Sequence, residues 1–453
     1  MYSLMPHQRT GGDFLANRAF ALLADDPGLG KTAQAVHGAD LAGCRKILVL
    51  APAAVRSVWA KEFAAWQQID RPLTVLEGLP KAPPGLGVTI ASHEALARSP
   101  DMLRQGAPYD LIVVDESHAM REFLTRRSRA LYQPNEVQYI NLQGQPETLH
   151  RGAWSWTTRL WCLTGTPVVN SAADLWPMFY GALRQPVTYP DFCARFAERM
   201  ALTDSGEKPV GLKNAPELAE RMRPFTLRRT LDSVGIKLPP LTMQSQEFAL
   251  PPETLATLMA GLEGWSPRRL VSALEQNDDL KDKELMRVRR VLGLGKCLAV
   301  ATYVWEQLTK HGSGPVIIFF YHQDVRAELH RMLHTESGFR VGVIDGKTTP
   351  KQLAATEAAF QNGEYDILLA QIQSAGQGLT LHRSHVCCFA ELPWTSTAVW
   401  QAAKRISRIG QTAACTATVL KVKDFWLEDV MAGIISKKQQ ASETLLSLLT
   451  SAA

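Results

Sequence analysis

The chain contains no run of about 18 or more apolar residues, which excludes a membrane-spanning helix. No charged stretch leads into an apolar core at the N-terminus, so no secretory signal is expected. Cysteine is sparse: seven among 453 residues, scattered, with only Cys387 and Cys388 adjacent. No Cys-x-x-Cys pair and no His/Cys cluster with zinc spacing occurs, which excludes a disulfide framework and a structural zinc site. We therefore expect a reduced setting, cytoplasmic or nucleoid-associated, as in a bacterium or a virus-infected cell. A large charge excess is also missing. There are 49 basic and 44 acidic residues, a formal net charge of +5, which permits a polyanionic partner without demanding one.

What is present is ordinary in amount and informative in order. Hydrophobic residues make up 46% and charged residues 21%, which excludes wholesale disorder. A chain of 453 residues exceeds what one hydrophobic core organises. In the first half, Ile47-Leu-Val-Leu50, Val88-Thr-Ile90, Leu111-Ile-Val-Val114 and Trp161-Cys-Leu163 are short apolar runs that read as buried parallel strands. Val316 to Phe320, Val341 to Ile344, Ile367 to Leu369 and His385 to Phe389 repeat the theme in the second half. Helical patterns lie between them, so the expected fold class is α/β, with two open parallel-sheet domains. From about Ala172 to Arg290 helical spacing dominates, broken at Pro239-Pro240 and Pro251-Pro252. The expected organisation is a first lobe at 1–185, helical insertions over 186–290, a hinge near Gly293, and a second lobe at 291–453. One or two helices from Trp426 to Leu449 close the chain. Gln133 to Gly152 is polar and reads as a long surface loop.

Two segments carry the chemistry. Asp25-Asp-Pro-Gly-Leu-Gly-Lys-Thr32 is a candidate phosphate loop for ATP. Such a loop needs backbone N–H groups converging on anionic oxygens, and Gly28, Leu29 and Gly30 supply that backbone. Lys31 would place a charge between the β- and γ-phosphates, and the Thr32 hydroxyl would ligate Mg²⁺. Asp25 stands where the strict pattern has its first glycine; we count it with the nucleotide-binding residues. The strand Leu111 to Val114 then runs into Asp115-Glu116-Ser117-His118. That places two carboxylates at the carboxyl edge of a parallel sheet, where open α/β folds bind ligands. Asp115 is the candidate for the Mg²⁺ shell, Glu116 for orienting and deprotonating water, and His118 for relaying the nucleotide state. Gly293-Leu-Gly-Lys296 imitates the loop, but it lacks a preceding strand and a following Ser or Thr, so it reads as a helix start.

Gln401-Ala-Ala-Lys-Arg-Ile-Ser-Arg-Ile-Gly-Gln411 is the second segment. Arg405 and Arg408 share a face if the segment is helical. An arginine reaching in from another lobe stabilises a transferring phosphoryl group only when the lobes close. In isolation two such arginines are more often a surface pattern.

The ordered set decides the reading. It comprises Leu4 to Gln8, Asp25 to Thr32, Leu48 to Pro52, Ile90 to Glu94, Asp115 to His118, Leu163 to Asn170, Ile317 to Phe319, Ile344 to Thr348, Gln371 to Leu381 and Gln401 to Gln411. It resembles the superfamily-two helicase motor in its SWI/SNF-type branch, over essentially the whole chain. Phe225-Thr-Leu-Arg-Arg229, Leu238-Pro-Pro240 and Asp174-Leu-Trp176 are similar to that branch. Ser374 to Thr380 with Glu391-Leu-Pro-Trp394 is similar to its fork-remodelling, strand-annealing subgroup. The resemblance implies two tandem RecA-like lobes with helical insertions between them. It also implies that ATP and Mg²⁺ are used, that Gln8 reads the adenine, that Gly378 lies by the nucleotide, and that Thr164 and Thr166 couple hydrolysis to the track. There are departures: Asp26-Pro27 replaces Glu-Met, Ser117 replaces Ala, and Lys404 and Ser407 stand where an acid and a histidine are usual.

The expected partner is DNA, double-stranded or branched, held through its phosphates because phosphates repeat regularly. Candidates for contact or coupling are Ser92 and His93 on the first lobe, and Thr348, Ser374, Thr380 and Gln401 on the second. Basic pairs at Arg126-Arg127, Arg228-Arg229, Arg268-Arg269 and Arg289-Arg290 are candidates for salt-sensitive affinity. The expected activity is a DNA-dependent ATPase that translocates on duplex DNA. A strand-separating helicase and a nucleotide-controlled clamp with little turnover stay open as alternatives.

Overall fold

The computed structural model describes residues 3–122, 125–140, 146–169, 171–183, 185, 187–203, 206–276, 283–375, 379–393 and 396–450. Two compact units divide the chain. The first comprises Met1–Met200, Pro209–Ile236 and Gln440–Ala453, and the second Ala201–Lys208 and Lys237–Gln439.

In chain order the first unit carries β1 (Phe20–Leu23), β2 (Lys46–Ala51), β3 (Leu73–Val75), β4 (Gly87–Ser92) and β5 (Leu111–Asp115). There follow the antiparallel pair β6 (Val137–Ile140) and β7 (Pro146–Leu149), then β8 (Leu160–Leu163). A two-stranded ribbon, β9 (Arg199–Thr203) with β10 (Gly206–Val210), whose Ala201–Lys208 belongs to the second unit, precedes β11 (Thr226–Leu227) of the first. Seven of these strands form one parallel sheet in the order β11-β1-β8-β5-β2-β4-β3. Side chains alternate across it. Ile112 and Val114 enter one core with Leu22, Leu48 and Leu50, and Leu111 and Val113 enter the other with Leu23, Ile47 and Val49. Burial on both faces is why the strands read as unbroken apolar runs.

The second unit repeats the plan with β12 (Leu241–Phe248), β13 (Val316–Phe320), β14 (Val341–Ile344), β15 (Ile367–Gln371), β16 (Val386–Phe389) and β17 (Cys415–Val422). The order is β12-β17-β16-β13-β15-β14, again parallel. Ile317 and Phe319 face one core; Val316, Ile318 and Phe320 face the other.

Three sequence expectations change. The segment 186–290 is not a separate body. Phe192, Phe196, Leu218 and Met222 join the first unit's core, whereas Leu258, Leu285 and Val288 join the second's. After the short excursion Ala201–Lys208, the chain passes from the first unit into the main body of the second between Ile236 and Lys237, not at Gly293, and returns to the first at Gln439–Gln440. Gly293 lies inside the helix Lys283–Thr309, where a Cβ would meet Val325 Cγ2 at 2.7 Å and Glu391 Oε1 at 2.8 Å. Lys296 of the same helix is buried and pairs with buried Glu428 at 2.6 Å. The glycines and lysine that imitate a phosphate loop thus serve helix packing. Finally, the polar stretch Gln133 to Gly152 contains the β6–β7 pair, and Trp426–Leu449 is one helix whose Leu445 and Leu449 lie in the first unit's core.

Candidate nucleotide site

Sheet order assembles the site. β1, β8 and β5 are neighbours, and all three point their carboxyl ends to one edge. Three loops therefore converge there: Ala24–Gly30 after β1, Glu116–His118 after β5, and Thr164–Thr166 after β8.

In the phosphate loop, Gly28 and Gly30 have φ of 97° and 70°, a left-handed backbone that favours glycine. A Cβ on Gly28 would meet nothing within 4 Å, so the loop's outer side is open. A Cβ on Gly30 would lie 2.3 Å from the Gln8 amide nitrogen. Gln8 thus rests on the loop, in the helix Pro6–Ala16, and His7 Nε2 lies 3.2 Å from the Leu29 carbonyl. Lys31 opens the helix Lys31–Leu41 with Thr32 beside it. Its Nζ donates to the Asp25 and Asp26 carbonyls at 2.8 and 3.3 Å. Burial lowers the Lys31 pKa, and Glu116, Asp25 and Asp115 oppose that shift. The Pro27 ring approaches within 3.2 Å of where a Cβ on Gly165 would lie, so this loop and the one after β8 touch where only glycine fits.

The Asp25 side chain does not face nucleotide. It is fully buried, and its carboxylate accepts from Arg229 Nη2 at 2.5 Å, Arg229 Nε at 3.1 Å, the Arg229 amide at 3.0 Å and Gln34 Nε2 at 3.1 Å. Only its carbonyl meets Lys31. Asp26 pairs with Arg228 Nη2 at 2.7 Å. The pair Arg228-Arg229 is therefore not a surface patch for DNA: both guanidiniums are buried, neutralising the two acids that open the phosphate loop. Asp26, a departure from the family pattern, keeps a carboxylate that Arg228 requires.

Asp115 accepts from Trp59 Nε1 at 2.8 Å through Oδ2 and from the Glu116 amide at 2.9 Å through Oδ1. Burial, together with Glu116, raises its pKa to about 6. Glu116 has φ of 46°, rare for a side chain of this size; such strain concentrates at functional sites. His118 Nδ1 lies 3.2 Å from Glu116 Oε2 and 3.1 Å from Thr164 Oγ1. The Thr164 hydroxyl also accepts from the Thr166 amide at 3.1 Å. One imidazole nitrogen thus links the carboxylate after β5 to the loop after β8. His93 is buried, with Nε2 at 2.8 Å from the Asp115 carbonyl, and burial lowers its pKa to about 4. It positions Asp115 and is not a surface contact. Ser92 Oγ accepts from the Ala95 amide at 3.0 Å, capping the helix His93–Arg98. Trp59, Gln34 and Arg229 were not among the expected nucleotide-site residues; Trp59 and Arg229 lie far along the chain from the motifs they serve, whereas Gln34 sits one turn into the helix that follows the loop.

In the second unit the helix Ser396–Ala403 ends before the two arginines, so Arg405 and Arg408 do not share a helix face. Arg405 is buried, donating to the Leu379 carbonyl at 3.3 Å. Arg408, like Lys404 and Ser407, is only half-buried. Gln401 is half-buried on the helix. Ser374 Oγ lies 3.4 Å from Gln371 Oε1, which also accepts from the Gly346 amide at 2.7 Å. Gln371 thereby ties the loop after β15 to the loop after β14, where Thr348 Oγ1 accepts from the Asp345 amide. The Thr380 amide donates to Glu357 Oε1 at 2.6 Å. Glu391 is buried and accepts from the Tyr321 and His322 amides at 2.8 and 2.9 Å. Arg289 is also buried, donating to the Leu392 carbonyl and stacking 4.8 Å from the Tyr321 ring. Gly378 and Trp394 lie outside the described residues.

Among the described residues no cluster of three or more His, Cys, Asp or Glu side chains could enclose a metal ion alone. The donors at this edge, one carboxylate of Asp115 and the Thr32 hydroxyl, suit Mg²⁺, which uses one or two carboxylates plus substrate phosphates and keeps several waters.

A glycine-rich loop ahead of a helix, with paired carboxylates at the end of a nearby strand of a parallel sheet, is the arrangement of a phosphate-loop nucleoside triphosphatase, here with a second parallel-sheet unit. The chain belongs to the SNF2-related family. The SNF2-related domain matches residues 7–148 and 155–255, and the helicase conserved C-terminal domain matches 299–410. SNF2-related proteins are helicase-like ATPases. The chain is similar to the SWI/SNF-related matrix-associated actin-dependent regulator of chromatin subfamily A-like protein 1 of Xenopus tropicalis, at 28% identity over 93% of this chain and 43% of that one. It is similar to the DNA annealing helicase and endonuclease ZRANB3 of Mus musculus, at 25% identity over 98% of this chain and 41% of that one. The Sulfolobus solfataricus SWI2/SNF2 ATPase core in complex with dsDNA aligns over 98% of this chain and 93% of that chain, at 20% identity and a TM-score of 0.42. The chain spans less than half the length of the two curated relatives.

Proposed function

We propose that the chain is a DNA-dependent ATPase that translocates on double-stranded DNA, remodelling DNA structures or displacing bound proteins. Lys31 and the amides of Gly28 to Gly30 hold the ATP phosphates. Mg²⁺, held by Thr32 and Asp115, would neutralise charge on the β- and γ-oxygens. Glu116 orients the attacking water and takes its proton. Arg408, the more accessible of its pair, supplies charge for the transferring phosphoryl group, while Arg405 holds its own unit together. The observation that carries this reading is the chain Glu116–His118–Thr164, which joins the hydrolytic carboxylate to a second loop at the sheet edge. DNA as the track is supported by the mouse relative, named a DNA annealing helicase. The seven cysteines, all free and buried, are compatible with a reducing cytoplasm.

Multiple-turnover hydrolysis is expected to rise when duplex DNA is added. Glu116→Gln is expected to lose at least about 10²-fold in turnover, the scale of general base catalysis, while still binding nucleotide and DNA. Normal turnover by that variant overturns the mechanism. A protein that binds DNA without stimulated turnover is instead a clamp.

The β6–β7 hairpin favours a second reading, strand separation, which needs a wedge element. Triplex displacement without fork unwinding supports the translocase; fork unwinding without triplex displacement supports the wedge.

A further inference from the structure

Two adjoining cavities of about 540 and 470 Å³ lie in the first unit, sharing Ala97, Arg98 and Arg126 as walls. Their chemistry is one-sided. The larger is lined by four arginines and the smaller by five, two of them common to both, so among the described residues seven arginines face three carboxylates: Glu94, Asp101 and Glu122. Asp101 pairs with Arg104 at 2.9 Å, and the two glutamates neutralise less. Glu94 is 3.9 Å from Arg98 and 3.7 Å from Arg127, Glu122 is 3.9 Å from Arg121, and all these groups are partly exposed. Exposed pairs of this length hold their charges loosely. Arg126, Arg129 and Arg151 make no ion pair among the described residues.

The outer wall of the smaller cavity is the hairpin: Thr148 and Leu149 of β7 with His150 and Arg151 beyond it. The hairpin is fastened at its base. The Gly152 amide and Trp154 Nε1 both donate to the Gln133 carbonyl, at 2.9 and 3.1 Å, and His150 Nδ1 lies 2.9 Å from Glu136 Oε2. A Cβ on Gly152 would lie 2.3 Å from the Leu131 carbonyl, so the chain is pressed against the helix Arg126–Tyr132. Residues 149–154 fall between the two stretches that match the SNF2-related domain, so the family does not by itself account for this wall. At the other end the larger cavity is lined by His118, the residue bonded to Glu116.

We infer that this arginine-lined groove holds the phosphodiester backbone of a single DNA strand, running from beneath the hairpin to His118. Guanidinium forks match phosphate oxygens in pairs. Cavities of this size each suit a ligand of roughly nucleotide dimensions, so the two in series fit a few nucleotides of one strand and not a duplex. Among the described residues the aromatic rings lining the two cavities are buried Trp156 and the imidazoles of His118 and His150, against seven arginines, so backbone contacts dominate and binding is independent of sequence. Occupancy next to His118 would let a bound strand reach the hydrolytic carboxylate through one side chain. The inference deepens the DNA-motor reading and rests on it.

The test is the paired charge reversal Arg126→Glu with Arg151→Glu, both outside the hydrolytic machinery, and the milder Arg126→Ala with Arg151→Ala. Binding is read by fluorescence anisotropy on a single-stranded oligonucleotide and on a blunt duplex, across salt. The reversal is expected to weaken single-strand binding at least about tenfold. The alanine pair is expected to flatten the salt slope by about 1.4, from roughly 0.7 per phosphate contact on single strands. Circular dichroism and thermal midpoints at the wild-type level show that the variants fold. Wild-type affinity and slope for the single strand in both variants overturn the groove. So does intact single-strand binding alongside lost binding of polyglutamate, which would make the site one for an acidic peptide. If the unaltered protein shows no DNA-stimulated hydrolysis, the motor reading fails, and the anisotropy result, which needs no turnover, still decides the groove.

Discussion

A carboxylate sealed from water needs a cation, and Asp25 has Arg229. Removing one partner from such a pair leaves an uncompensated buried charge, at a cost of about 3–5 kcal/mol. Arg229→Met is therefore expected to lower the thermal midpoint of the first unit markedly. Adding Asp25→Asn should restore much of the loss, because the orphaned charge is gone; a double variant no better than the single would contradict the pair's role. His93 makes a second residue-scale prediction. Burial holds its folded-state pKa near 4, below the ordinary 6.5. Above pH 6.5 both folded and unfolded states are neutral and its contribution is complete. As pH falls from about 6.5 towards 4 the unfolded chain binds a proton that the native state refuses, so stability falls by up to about 1.4 kcal/mol per pH unit. The thermal midpoint of the unaltered protein should drop more steeply between pH 7.5 and 5 than that of His93→Gln; parallel curves would refute this. At this scale the sequence was legible where chemistry is local. Lys31, Asp115 and Glu116 declare themselves by spacing. Arg228 and Arg229 do not, because their partners lie 202 and 204 residues away and a charged pair reads as surface until its acids are known.

Helices and strands are held to their units by a few buried polar ties as well as by apolar packing. The helices Lys283–Thr309 and Trp426–Leu449 are joined by Lys296 and Glu428, both almost fully buried, and Glu428 also accepts from the Val422 amide of β17 at 2.7 Å. Lys296→Met is expected to destabilise the second unit by about 3–5 kcal/mol, with Lys296→Met/Glu428→Gln milder; hydrogen exchange in β17 would report it, and unchanged protection would sink the claim. Most buried parallel strands were legible because both faces are covered and nearly every residue is apolar; β1 and β17, buried but short or mixed with polar residues, were not. Nor was β12. It is an edge strand whose residues are mostly exposed, paired to β17 through its backbone, so its side chains carry little periodic signal. The β6–β7 hairpin was hidden likewise in a polar segment with Gly and Pro, where only pairing across the turn reveals strand.

For the whole molecule, net charge is a poor guide to where a polyanion sits. The formal +5 includes arginines with little access to solvent: Arg228 and Arg229 pair with the acids of the phosphate loop, and Arg289 with Tyr321 and Leu392. Arg228→Gln and Arg289→Gln are therefore expected to leave the slope of log affinity against log salt for duplex DNA unchanged when measured without nucleotide. A slope shallower by about 1 would mean that the guanidinium reaches a phosphate. The two-unit plan was legible from strand–helix alternation, but the boundary was not, because the Pro239-Pro240 break beside the crossing at Ile236–Lys237 looks the same in sequence as the Pro251-Pro252 break inside the second unit. That crossing gives the Asp25–Arg229 and Asp26–Arg228 pairs a mechanical meaning. They fasten the phosphate loop to the strand from which, a few residues later, the chain leaves the first unit. The two pairs make the opening of the glycine-rich loop and the backbone ahead of that crossing a single polar cluster, so a displacement of either is felt by the other.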